Sequence, residues 1–210
     1  VKLKYYIDIF RIIQRASRHE RGKLFALLRT YRMLDQEIER FKAVTGLRCA
    51  SGCGRCCENP KVETTVLELL PLAIELWRQG EAGSWLEKID AVDAKGPCIF
   101  YQPDRLVPGK GRCSVYSLRP LICRLYGFSA VTDKHGDYKL LTCPVIKNIY
   151  PQEYGKAGEK ITAGMAVPKM ASFSMKILNI DSSLGTVQLS INEAAKLAIE
   201  RIGFILSFKK

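Results

Sequence analysis

Residues 49–57 read Cys-Ala-Ser-Gly-Cys-Gly-Arg-Cys-Cys, four cysteines in nine residues. The other four, Cys98, Cys113, Cys123 and Cys143, follow downstream, and none lies before Cys49 or after Cys143. Eight cysteines confined to the middle of a 210-residue chain point to one local purpose. Cys49, Cys53 and Cys56 stand in the pattern Cys-x3-Cys-x2-Cys, and Cys53 with Cys56 forms a Cys-x2-Cys clip, the commonest way to put two sulfurs on one metal. Thiolates ligate soft and borderline metals, and a loop wrapping sulfurs round an ion needs glycine where φ turns positive, which Gly52 and Gly54 supply. Cys57 directly follows Cys56, and adjacent side chains do not easily reach the same ion, so Cys57 is expected either to serve a second site or to stay free.

Whether such cysteines are ligands or disulfides depends on the compartment. Residues 5–13 are apolar but interrupted by Asp8 and Arg11, and no signal-peptide cleavage pattern follows. No run of 18 apolar residues occurs. A cytoplasmic, reducing location is therefore expected, where clustered cysteines read as metal ligands; a disulfide framework is the lesser alternative.

The flanks read as helices. One is expected over Tyr5–Arg15 and a longer one over Arg21–Ala43, with Leu24, Leu27, Leu28, Tyr31, Leu34, Ile38 and Phe41 on one face and Gly46 as its stop. The opposite face carries Arg29, Arg32, Glu39 and Lys42. Formal net charge is +12, and residues 1–48 hold 12 Lys/Arg against five Asp/Glu. That surplus reads as a solvated face, or as a docking surface for an acidic protein or a phosphate backbone. After the first cysteine cluster, Thr64 or Thr65 can cap a helix whose Leu67, Leu70, Ile74 and Trp77 face one way; Pro71 inside it predicts a kink or two short helices, and Gly80 an end. Ser84 and Glu87 suggest a capping box for a helix reaching Val92. Residues 128–141 suggest a hairpin turning at Asp133–Gly136. Met165, Met170 and Met175 read as core, Asp181–Gly185 as a turn, and 191–207 as a final amphipathic helix.

Eight thiolates suffice for two four-thiolate sites or for one cluster with spare ligands, and both zinc and iron–sulfur centres take such ligands. His19 and His135 stand apart from the cysteines and read as surface or turn residues. Arg55, Arg112, Arg119 and Arg124 lie close to cysteines in sequence, and their guanidinium groups could balance thiolate charge from outside the ligand shell.

The first cluster, with Gly96-Pro97-Cys98, Arg112-Cys113-Ser114-Val115-Tyr116, Arg119-Pro120-Leu121-Ile122-Cys123-Arg124 and Cys143-Pro144, resembles the YkgJ-type cysteine-cluster family. That family is described as zinc- or iron-chelating and is similar to the metal-cluster part of flagellin lysine methylases. The resemblance covers about residues 47–146 and uses every cysteine. It implies Cys49, Cys53, Cys56, Cys57, Cys98, Cys113, Cys123 and Cys143 as metal ligands; the charge argument places Arg55, Arg119 and Arg124 beside the bound group. One departure is an extra residue between Cys49 and Cys53, where the usual pattern opens Cys-x2-Cys-x2-Cys-Cys. The resulting triplet is the spacing of radical S-adenosylmethionine enzymes, whose repeated strand–helix units this chain lacks.

The expected fold is mainly α with little β: an irregular cysteine-rich metal-binding core over 47–150, between a basic helical segment over 1–46 and a C-terminal helical segment over 151–210 that packs on the core. The leading expectation is a protein holding iron as a 4Fe-4S cluster, in a redox, metal-handling or enzyme-support role. A methyltransferase-like enzyme using a cluster and S-adenosylmethionine is one alternative. A structural Zn2+ module presenting a basic surface to nucleic acid or an acidic protein is another. Catalytic residues, and whether the chain is an enzyme, stay open.

Overall fold

A computed structural model describes residues 17–107, 110–141 and 143–207. The helix expected over Tyr5–Arg15 lies outside the described residues. The described chain is mainly α, with three two-stranded antiparallel sheets.

The long helix α1 spans Arg18–Thr45. Ser17 caps it, its hydroxyl accepting from Glu20 N–H at 3.2 Å, and Gly46 ends it at φ 76°, a left-handed position that glycine takes without cost. The face set by helical spacing is the buried one: Leu27 and Leu34 are fully enclosed, and Tyr31 donates its hydroxyl to Glu68 O at 3.0 Å. Arg29, Arg32 and Glu39 are exposed on the far side.

A one-turn helix α2 (Arg55–Glu58) and a short strand β1 (Glu63–Thr64) lead to α3 (Val66–Gln79). Thr65 and Glu68 form a capping box at its start, each side chain accepting from the other's backbone N–H. α3 runs as one helix through Pro71, where the sequence suggested a kink or two short helices. Every residue from Leu67 to Leu76 is buried, so packing on all sides holds the helix across the one missing N–H. Gly80 ends it at φ 74°.

Helix α4 spans Ala82–Asp90, two residues earlier than the Ser84 cap predicted. The turn closing α3 bonds Glu81 N–H to Leu76 O and runs straight into the next helix, so Ser84 sits inside it and donates back to Glu81 O. At the other end of the chain α10 (Ile191–Ser207) follows a short strand β6 (Leu189–Ser190), which pairs with β1. α10 and α3 are the most extensively packed pair of elements. Ala194, Ala195 and Ala198 are buried on α10, Trp77 Nε1–H donates to Ile199 O at 2.8 Å, and a Cβ on Gly203 would strike the Trp77 ring.

Between these helices lie β2 (Tyr101–Pro103) with β3 (Gly111–Cys113), a 3-10 turn at Tyr116–Leu118 and a five-residue helix α5 (Leu121–Leu125). The expected hairpin follows as β4 (Ala130–Thr132) and β5 (Tyr138–Leu140). Helices α6 (Pro144–Ile149), α7 (Pro151–Thr162), α8 (Met170–Leu178) and the single turn α9 (Ser182–Gly185) complete the shell, α7 and α8 both resting on α1. Asp181, expected in a plain turn, caps α9 by accepting from Ser183 and Leu184 N–H. Met165 and Met170 pack on the core; Met175 is 54% exposed, on the outer face of α8. No helix among the described residues is long and apolar enough to cross a membrane.

Candidate metal centre

The cysteines arrive on backbone that several distant groups tie down. Leu47 is fully buried and anchors the chain just before Cys49. Cys53 N–H donates to Ala50 O at 3.2 Å, closing a turn in which Gly52 takes φ 67°. The turn accommodates the longer Cys49–Cys53 spacing, and Gly52 is required there for the reason the sequence suggested. Gly54 is different. Its φ is −112°, and what it supplies is room, because a Cβ there would overlap the Tyr101 ring, as would one on Gly111. Tyr101 lies against both glycines and donates its hydroxyl to Glu58 at 2.9 Å, locking β2 onto α2.

Cys56 and Cys57 lie on α2. Cys57 O accepts from Cys98 N–H at 2.9 Å, and Gly52 O from Gly111 N–H at 3.0 Å, so the segments carrying Cys98 and Cys113 are clipped to the first cluster. Asn192, completely buried on α10, accepts from Ile99 N–H at 2.9 Å and donates to Pro97 O at 3.1 Å, holding Cys98 from both sides. Glu68 accepts from Leu121 N–H at 2.7 Å and so holds the first turn of α5, which carries Cys123. Burial pushes the Glu68 carboxyl up, against the hydrogen bonds it accepts from Leu121 and Thr65. Cys143 precedes α6 and packs on Gly127, whose φ is 83° and whose added Cβ would come within 3.0 Å of the Cys143 Cβ.

Seven cysteines, all but Cys143, ring a cavity of about 50 Å³. Its walls are otherwise apolar, with Leu69 and Leu72 from α3, Phe100, Val115 and Ile191; Arg119 is the one charged side chain lining it. Among the described residues, no three His, Cys, Asp or Glu side chains are closed on one point as a ready-made cage for a single ion. The sulfurs stand round a space instead, within reach of one another. The neighbouring Cys113, Cys56 and Cys98 thiols favour the protonated form of Cys57 and raise it. Cys57 in turn brings Cys56 down to about 6, against burial and with help from the Arg119 charge. It also brings Cys113 down to about 7. Burial pushes Cys123 up, and desolvation with the neighbouring Cys53, Cys56 and Cys143 thiols raises Cys49 to about 11 even though that residue lies at the exposed rim. The Cys57 interaction and the Arg119 charge thus both favour the thiolate, the form that ligates metal, at Cys56.

The arginines separate into distinct roles. Arg119 donates from Nε to Tyr116 O at 2.9 Å and from Nη1 to Cys123 O at 3.1 Å, and stacks 3.5 Å over the Tyr116 ring. Its charge acts on Cys49, Cys56, Cys113 and Cys123 together. Arg124 is 5% exposed and turns away from the cavity: it pairs with Asp35 at 2.7 Å and donates to Ser117 O and Arg119 O. It fastens the backbone that carries Arg119 and Cys123 to α1. Arg55 points to solvent and pairs with Glu58, and Arg112 donates to Gln102. His19 and His135 are exposed, the latter in the β4–β5 turn. Asn192, Glu68 and Asp35 are the site residues that sequence reading missed. Two carried a signal: Asn192 is a polar residue in the first turn of an apolar helix, and Glu68 completes a Thr-x-x-Glu capping box.

Residues 48–144 match the family model CxxCxxCC, described as "Putative zinc- or iron-chelating domain". The match covers a little under half of the chain, and the coarse conclusion it carries is metal binding through cysteines. No curated protein and no solved structure matches the chain. The donor set fits such a group: eight soft sulfur donors, with one arginine beside them to offset negative charge.

Proposed function

We propose that the cysteine region holds iron as a four-iron cluster, ligated by cysteines drawn from Cys49, Cys53, Cys56, Cys57, Cys98, Cys113, Cys123 and Cys143, and that the chain serves a redox or metal-handling role. The observation that carries this reading is the cavity. A single zinc ion draws four sulfurs to about 2.3 Å from itself and leaves no space between them. Seven cysteines round about 50 Å³ suit a multi-atom group better. When bound, such a cluster supplies one-electron chemistry, tuned by hydrogen bonds to its sulfurs and by solvent access.

The chain's own residues set those conditions. Leu69, Leu72 and Phe100 keep water from the inner wall. Arg119 offsets thiolate charge, and Tyr116, half exposed and covered by Arg119, closes the rim. Arg124 and Asn192 position ligands without touching the group.

The test is the double variant Cys56→Ala/Cys57→Ala, purified without oxygen. Loss of all bound metal with the helical circular dichroism retained is the expected result. Full metal retention contradicts the reading, and zinc in place of iron in the native protein would transfer it to a structural role.

A further inference from the structure

We propose that the outer face of α1 docks an acidic segment of a partner protein, with carboxylates against Arg18, Arg29 and Arg40 and one large apolar side chain in the cleft beside Arg40. The proposal is independent of what the cysteines bind.

The first observation is the arrangement of charge on α1. Arg18, Arg29 and Arg40 recur every eleven residues, close to three turns, so they share one line about 33 Å long. Arg32 stands three residues on from Arg29, and all four are exposed. The two lysines of the helix are engaged internally: Lys23 pairs with Glu20 and Asp181, and Lys42 with Glu39. Among the described residues, none of the four arginines has an ion-pair or hydrogen-bond partner. The helix therefore uses lysine for its own fold and presents arginine, whose planar fork takes a carboxylate or a phosphate through two parallel bonds.

The second observation selects between those anions. At the C-terminal end of the line, Arg40 borders a cleft of about 440 Å³ between α1 and the connection from α7 to α8. Phe41, Val44, Met165, Val167 and Pro168 wall it, and Glu37 is the one carboxylate on it. Val44 is 56% exposed there. The far wall is fixed at both ends, since Met165 N–H donates to Lys160 O and Pro168 O accepts from Ala130 N–H, each at 2.8 Å. Lys160 Nζ also donates to Val44 O at 3.4 Å, tying α7 to the end of α1. A phosphate backbone would pair with the arginines and leave this apolar cleft empty. A peptide segment with carboxylates and one aromatic or branched side chain uses both, the side chain seated as an anchor and the charges flanking it.

The experiment selects displayed random peptides of about 16 residues, long enough as a helix to span Arg29 to Arg40, against the intact chain purified without oxygen. Enriched sequences should carry an excess of Asp and Glu with one large apolar residue. By fluorescence anisotropy, the tightest of them should bind Arg29→Glu/Arg40→Glu and Val44→Asn each about tenfold or more weakly than the native chain. Lys95→Glu/Arg105→Glu, the same change of net charge at exposed positions off α1, should bind as the native chain does. All these side chains are exposed, and unchanged circular dichroism checks the fold of each variant. Enriched peptides without an acidic excess overturn the proposal, as do native binding by either α1 variant and an equal loss in the Lys95/Arg105 control. Duplex DNA or RNA bound more tightly than the peptide and released by Arg29→Glu/Arg40→Glu would assign the face to phosphate and also overturn it.

Discussion

The α3–α10 pair and the cysteine region are built on opposite principles. The helices bury apolar surface almost without interruption: Leu67 through Leu76 on one, Ala194, Ala195, Ala198, Ile199 and Ile202 on the other. The cysteine region has strands of three residues, a four-residue helix and long irregular connections. Its segments are held by few hydrogen bonds, among them Cys98 to Cys57, Gly111 to Gly52 and the two from Asn192 to the Cys98 loop. The helical frame has the burial to persist by itself, while the loops have too little regular backbone to do so and depend on what their sulfurs bind.

Removing metal is the sharpest way to separate the two. Binding to thiolate sites of this kind is worth on the order of 10 kcal/mol. Chelation should open residues 49–62 and 96–143 to protease while α3 and most helical circular dichroism survive, and cleavage spread evenly over the chain would break the distinction. The converse variant attacks the frame. Leu34 is fully buried on α1, and Leu34→Ala should cost about 2–5 kcal/mol in urea denaturation. Metal per folded chain should stay at the native value; a parallel fall would mean frame and centre are one unit.

Asn192 belongs to both regions. Asn192→Ala leaves Ile99 N–H and Pro97 O without their buried partner, a loss of about 1–3 kcal/mol. It should also speed metal release to a chelator, and unchanged release would confine Asn192 to the frame. The smallest effect concerns acid. Burial works to raise the Asp181 carboxyl, but Lys23, the Ser183 hydroxyl and Leu184 N–H hold it well below the usual carboxylate range. Its contribution is present above the unfolded carboxylate pKa and is lost as pH falls through the lower native value. The native urea midpoint should therefore decline on acidification from about pH 4 downward, and less steeply in Asp181→Asn.

The frame was the legible half of the molecule. The apolar face of α1, its Gly46 stop and the Thr65 cap are local signals, and local spacing fixes them. Of the two outcomes Pro71 suggested, the division into two short helices does not occur, because packing on every side of α3 outweighs one lost hydrogen bond. In the centre the sequence supplied the ligand candidates but not what holds their segments in place. That depends on contacts across long separations, such as Asn192 with Ile99 and Glu68 with Leu121. Gly54 shows the same limit: its reason for being glycine is a tyrosine ring from β2, not the loop it sits in. Arg124 was placed beside the centre by its neighbour Cys123, yet its donors go to Asp35 on α1 and to main-chain carbonyls.

The most direct measurement is the iron and acid-labile sulfide content of protein purified without oxygen, with its absorption spectrum. Iron and sulfide in matching amounts, with a broad band near 400 nm, are the predicted result. Folded protein that carries zinc without sulfide, or no metal at all, would contradict it.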